Sequence, residues 1–228
     1  EVSCTFVSAT SCDSKKSANL KSSVDSASYA IGVANGSMFK QNLDGMPGGP
    51  ANVDALLAGF EAAMKGDSTG LKMTPEQAQT YLNTYFVEAQ ARDANKTKEE
   101  GEKFLAENKA KEGVITTESG LQYKVETEGT GAKPTAEDQV KVHYTGTLLD
   151  GTKFDSSVDR GEPAVFGVGQ VIKGWTEILQ IMPVGSKYVI WVPSDLAYGE
   201  HGTRGIKPNS VLKFEVELLD IVKDDQKK

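Results

Sequence analysis

Apolar positions along this chain change their period once, near Gly113, and the change separates a helical part from a strand-rich part. In residues 24–38, Val24, Ala27, Ile31, Ala34 and Met38 recur every three or four positions, the spacing of one face of a helix. The Gly- and Pro-dense stretch 42–50 then breaks it. Asn52 is placed to cap a second helix, with Val53, Leu56, Leu57, Phe60 and Met64 as its stripe and Gly66 as its stop. Thr74, Pro75 and Gln77 open a third, because Thr and Gln side chains can satisfy each other's backbone N–H groups and proline suits the first turn. No proline interrupts 76–112, so a helix of about 37 residues, roughly 55 Å long, is predicted there. Ala78, Leu82, Tyr85, Phe86 and Ala89 give its first turns an apolar side, whereas 90–103 is almost all charged, polar or alanine and reads as a solvated stalk.

After Gly113 the pattern alternates. Leu121, Tyr123 and Val125 alternate with polar residues, as do Val140, Val142 and Tyr144, then Tyr188, Ile190 and Val192, and finally Leu212, Phe214, Val216 and Leu218. Asp150-Gly151 between extended segments predicts a hairpin, hence an antiparallel sheet. One helix is predicted in this part, at Trp175, where Ile172, Ile178 and Leu179 share its face. A helix lying across an antiparallel sheet gives an α+β fold. Residues 1–23 read as a signal remnant or tether, 24–73 as a helical dimerisation domain, 74–112 as a connecting helix, 113–224 as the sheet domain and 225–228 as a charged tail. The N-terminal helices, about 65 residues of modest apolar mass, would be marginal alone, and pairing two copies would bury their stripes; a homodimer is expected.

Trp175 admits two readings: an ordinary core aromatic, or the floor of an apolar pocket.

Composition narrows the chemistry. Residues 1–112 carry 12 basic and 15 acidic side chains and the remainder 13 and 17, so neither part has the basic footprint of a nucleic-acid binder. The two cysteines, Cys4 and Cys12, precede the first predicted helix and frame neither a disulfide scaffold nor a zinc site. Residues 1–12 resemble the end of a bacterial export signal with Cys12 at the position of a lipid anchor, which would put the protein in the cell envelope, in the periplasm or at the outer membrane; a terminus with two incidental thiols is the alternative. Of the two histidines, His143 falls in the polar phase of a strand and His201 in a Gly-rich loop, and neither has a nucleophile elbow nearby. Asp155 and Asp159 are close neighbours in a predicted loop and make a poor carboxylate pair for glycoside hydrolysis. The glycines at 167, 169 and 174 lack dinucleotide-fingerprint spacing, and no clustered metal ligands are visible, so neither cofactor nor metal is expected.

Five motifs then carry a resemblance: Val142-His143-Tyr144-Thr145-Gly146, Gly151-Thr152-Lys153-Phe154-Asp155-Ser156-Ser157, Val171-Ile172-Lys173-Gly174-Trp175, Leu196-Ala197-Tyr198-Gly199 and Phe214-Glu215-Val216-Glu217-Leu218. In order and spacing they resemble the FKBP-type peptidyl-prolyl cis-trans isomerases, whose fold is a twisted antiparallel sheet wrapped around one short α-helix. The resemblance implies an enzyme that accelerates X–Pro rotation during protein folding. It implies a proline pocket lined by Phe154, Phe166, Val171, Trp175, Ile206 and Phe214, with Tyr144, Asp155, Ile172 and Tyr198 as the catalytic set. Within it the Ile172 N–H and the Tyr198 hydroxyl would face substrate carbonyls. Proline-containing polypeptides are the implied partners, and macrolides are compatible with such a pocket. Ala164, where many members carry a larger aromatic, and a shorter loop at 205–208 bear on substrate breadth and inhibitor affinity. The helical part resembles, more loosely, that of the macrophage infectivity potentiator group of dimeric envelope isomerases. A holding chaperone or binding module with a vestigial pocket is the alternative function, and a small-ligand receptor a third.

Overall fold

Local capping chemistry starts each of the three leading helices. The computed structural model describes residues 18–67 and 69–222; Cys4, Cys12, the export-signal reading and the tail at 225–228 lie outside the described residues. Ser22 caps α1 (Ser23–Asp44): its Oγ accepts the Asp25 N–H at 3.1 Å while Asp25 Oδ2 accepts the Ser22 N–H at 2.9 Å. The helix runs into the stretch expected to break it, because Asn42, Leu43 and Asp44 tolerate helix and the glycines and prolines begin only at Gly45. Asn52 Oδ1 accepts the Ala55 N–H at 3.0 Å and caps α2 (Val53–Met64). No residue of α1 or α2 is buried; Ile31, Phe60 and Met64 are 64, 54 and 74% exposed.

The capping box at the start of α3 (Pro75–Asn108) is complete: Thr74 Oγ1 accepts the Gln77 N–H at 3.2 Å, and Gln77 Oε1 accepts the Thr74 N–H at 2.9 Å. The helix ends earlier than 112 because Asn108 turns its side-chain amide to Gln122, and Gly113 follows at φ 79. Nor is 90–103 wholly solvated. Ala94 and Thr97 are half-buried and Gly101 buried, a stripe of small residues on which neighbouring backbone can settle. Residue contacts group the described residues up to Gln77 as one compact unit and those from Ala78 onward as another.

The second unit holds seven strands: β1 (Val114–Thr116), β2 (Gln122–Thr127), β3 (Gln139–Leu148), β4 (Lys153–Ser156), β5 (Ala164–Gly167), β6 (Lys187–Val192) and β7 (Leu212–Val222). They form one antiparallel sheet ordered β1-β2-β6-β7-β3-β4, with β5 also paired to β3. Register puts the alternating apolar set on one face: Tyr144 lies opposite Val216 and Val216 opposite Tyr188, while Gly146 and Ile190 flank Phe214. Against that face packs α5 (Lys173–Leu179), whose Trp175, Ile178 and Leu179 are buried; each contributes about 2 kcal/mol through area removed from water. Gly174 allows the approach, since a Cβ there would sit 2.5 Å from Val192 Cγ1.

Short elements escaped the sequence pattern, β5 among them. Ser157–Arg160 forms a single helical turn, α4, capped by Ser156 Oγ accepting the Asp159 N–H at 3.2 Å, so α5 is not the only helix after Gly113. His143 serves this turn: its Nδ1 lies 3.1 Å from Ser157 Oγ, which also accepts the Tyr144 N–H at 2.8 Å.

Candidate active site

The ten site residues named from sequence all border one cavity of about 610 Å³. Strand β3 supplies Tyr144, β4 supplies Phe154 and Asp155, β5 supplies Phe166 and β7 supplies Phe214. Val171 and Ile172 arrive just ahead of α5, and Tyr198 and Ile206 come from the segment between β6 and β7.

Trp175 is the hub. The residue is 4% exposed, and its ring meets Tyr144, Phe214 and Phe166 edge-on, with centroids 5.2, 5.3 and 5.8 Å away. Among the described residues the buried indole N–H has no hydrogen-bond partner. Phe154 and Phe214 make a further T-shaped pair at 5.5 Å, directly over Gly146. A Cβ at 146 would come within 2.6 Å of Phe154 Cζ, so only glycine lets both rings lean in at this point.

One polar group anchors the wall. The Tyr144 hydroxyl donates to Asp155 Oδ2, and Arg160, from α4, donates to Asp155 Oδ1 and, at 3.0 Å, to the Tyr144 oxygen. The guanidinium also lies 5.7 Å from the Tyr144 ring centroid. Burial raises the Tyr144 phenol above its ordinary value, and the bond to Asp155 adds to the rise. For Asp155, partial burial favours the neutral acid, but hydrogen bonds from Tyr144 and Arg160 and the guanidinium charge outweigh it and hold the carboxyl below the usual aspartate range. Hydrogen bonds to Tyr144 and then Asp155 raise Arg160 further. At neutral pH the three groups are therefore a phenol, a carboxylate and a guanidinium locked together. Asp155 is no freely solvated loop carboxylate, and Asp159 turns elsewhere, to Lys153 at 2.7 Å.

Ile172 precedes α5 at φ −57 and ψ 149, and among the described residues its N–H has no acceptor. Tyr198 is 41% exposed at the rim. Among the described residues, no histidine, serine or lysine borders the cavity. Gln170, Thr203 and Arg204 also line it and were not named from sequence; nor was Arg160. Adjacency to Val171 could have flagged Gln170, and Gly202 and Gly205 mark the turn that carries Thr203 and Arg204.

Residues 130–219 match the family model described as FKBP-type peptidyl-prolyl cis-trans isomerase, and 24–125 match the domain amino terminal to it. The chain is 51% identical over 217 residues to the FKBP-type peptidyl-prolyl cis-trans isomerase FkpA of Aeromonas hydrophila, covering 90% of this chain and 79% of that one. It is 42% identical over 214 residues to the outer membrane protein MIP of Legionella longbeachae, covering 90% and 88%. Among solved structures, FkpA from Escherichia coli superposes with a TM-score of 0.71 at 34% identity, covering 88% of this chain and 97% of that one. Fold, cavity and kinship over most of the chain agree: it belongs to the FKBP-type peptidyl-prolyl cis-trans isomerases and is an enzyme of that class, acting on proline-containing peptides.

Proposed function

We propose that the aromatic cavity is the isomerase site and that it works by desolvation and positioning alone. Rotation about X–Pro breaks no bond; its barrier of about 20 kcal/mol is lost amide resonance, and each 1.4 kcal/mol removed is worth roughly tenfold in rate. The planar amide is the more charge-separated form. A proline ring resting on Trp175, walled by Tyr144, Phe166 and Phe214, would leave that charge separation without water and so favour the twisted amide. The Ile172 N–H and the Tyr198 hydroxyl would donate to the substrate carbonyls on either side. Asp155, held ionised by Tyr144 and Arg160, would fix the wall rather than exchange a proton. The observation that carries this reading is the Trp175 ring, enclosed edge-on by three aromatics while still bordering the open cavity.

A protease-coupled X–Pro assay tests it. Tyr198→Ala and Asp155→Ala should each lower kcat/KM, and deuterated solvent should leave the parent value unchanged; a large solvent isotope effect would mean proton transfer and end the proposal. Macrolides would compete for the same cavity, visible as a change in Trp175 fluorescence.

Placement in the envelope is supported by the name of the Legionella relative; among the described residues no helix is long and apolar enough to cross a membrane. A homodimer through α1 and α2 is supported by their exposed apolar side chains. The same exposure favours one addition, a holding function on unfolded chains. An Asp155→Ala protein that still suppresses aggregation would separate holding from isomerisation.

A further inference from the structure

Between Tyr198 and Phe214 the chain forms the lip of the aromatic cavity and then passes against α3. The lip is a closed unit. Asn209 N–H donates to Gly199 O at 2.9 Å across its base, and Thr203 and Ile206 exchange two 2.9 Å bonds at its tip. The base is in turn held to the helix. Asn209 Nδ2 donates to Ala94 O at 3.1 Å, from a backbone at φ 61, the left-handed region that asparagine tolerates better than most side chains. Two turns further along α3, Gly101 lies so close to the same strand of chain that a Cβ would come 2.8 Å from Val211 Cγ2.

The helix itself is fixed. Asn108 Nδ2 donates to Gln122 Oε1 at 2.9 Å, and Gln122 Nε2 donates to Leu105 O at 2.8 Å, both side chains being almost wholly buried. This pins the end of α3 to β2. Beside the helix–lip contact lies a second cavity of about 360 Å³, bordered by Lys98 and Glu102 of α3 and by Asp195 and Glu200 opposite. The joint is thus open on one side, and the lip has room to shift there.

We propose that α3 positions the lip of the isomerase site, with Asn209 and Gly101 as the positioning residues. Two hydrogen bonds, Asn209 Nδ2 to Ala94 O and Asn209 N–H to Gly199 O, link the helix backbone to the residue that follows Tyr198. The floor, from β3, β7 and α5, is built independently of this contact. Loosening the contact therefore leaves the hydrophobic floor intact and frees Tyr198 and the 203–206 tip, which must then be ordered each time substrate binds. Affinity suffers more than turnover.

This inference rests on reading the aromatic cavity as the isomerase site. The test uses the full chain with Asn209→Gly, which keeps the backbone conformation but deletes the amide donor, and Gly101→Val, which forces helix and Val211 apart. Steady-state kinetics on X–Pro peptides and amide hydrogen exchange are measured on each. Both variants should raise KM about fivefold with kcat within about twofold, and exchange across 198–206 should quicken about tenfold while β3 and β7 keep their protection. An unchanged KM and unchanged lip exchange in Asn209→Gly would overturn the inference; so would faster exchange through β3 and β7, which is general loosening. If Gly101→Val fails to fold, Asn209→Gly decides alone. Trp175→Leu is the control: unchanged kcat/KM there would sink the site reading, while lip exchange would still report whether α3 holds the segment.

Discussion

Gly174→Ala sets two familiar effects against each other, and the structure says which wins. Alanine is the better helix former, by about 0.8–1.0 kcal/mol in a helix interior and less at the second residue of α5. Against that, the added methyl would sit 2.5 Å from Val192 Cγ1 and 3.3 Å from Cγ2, with Leu121 Cδ1 behind at 3.5 Å. Val192 is fully buried, and overpacking of this kind costs about 1–3 kcal/mol. The clash wins by about 1–2 kcal/mol, which lowers Tm by about 3–6 °C in a unit of this size. To restore ordinary contact α5 must retreat by about 1 Å, carrying Trp175 with it, and a misplacement of that size can cost up to about a hundredfold in kcat/KM. Activity should thus fall further than stability. Thermal unfolding followed by circular dichroism, beside the protease-coupled assay, measures both. Val192→Ala removes the clashing methyls, so in the double variant the new alanine should fill the space and the effects should couple by at least about 1 kcal/mol. A higher Tm in Gly174→Ala, or additivity within about 0.5 kcal/mol, would refute the reasoning.

Four further outcomes are expected. Trp175→Leu forfeits three edge-on ring contacts worth about 0.5–1.5 kcal/mol each, yet most domains have about 5–15 kcal/mol in hand, so the protein should stay folded and lose more than tenfold in kcat/KM; unfolding instead would make Trp175 merely core. The Asp155 carboxyl is depressed, so the stability it confers is complete above the ordinary aspartate pKa of about 3.9 and is lost only as pH falls through the lowered value. Because Tyr144 is raised and stays protonated past neutrality, kcat/KM should be flat from about pH 5 to 9, and a sigmoid centred near neutral pH would contradict the assigned network. Light scattering at micromolar concentration should give a dimer, and Phe60→Glu on the exposed face of α2 should shift it toward monomer; a monomeric parent would end the pairing proposal.

What could be read from sequence was local or periodic. The Thr74–Gln77 box and the Asn52 cap are exchanges between residues three apart, and the alternation at Leu212, Phe214, Val216 and Leu218 is the register of β7 itself. The end of α3 was hidden because Asn108 answers to Gln122, on another element. Charge and alanine made 90–103 look like open stalk, yet what docks it is smallness at Ala94, Thr97 and Gly101, which a hydrophobic pattern does not register. Four-residue β5 and α4 are too short to show a period, and with α4 went Arg160, whose hold on Asp155 and Tyr144 depends on a turn no motif announced. The pocket residues were found by resemblance; alternation alone put Tyr144 and Phe214 in a sheet and left their shared cavity undetermined.

The position of β7 between β6 and β3 has a consequence for how the enzyme is made. It pairs residues as far apart in the chain as Gln139 and Val222, so until translation reaches that point β3 and β6 have no partner between them. During synthesis the three leading helices can form as they emerge, whereas the sheet must wait with two apolar edges open, a slow and aggregation-exposed arrangement. An isomerase of this design is itself a late folder: its own sheet closes only when the last strand arrives.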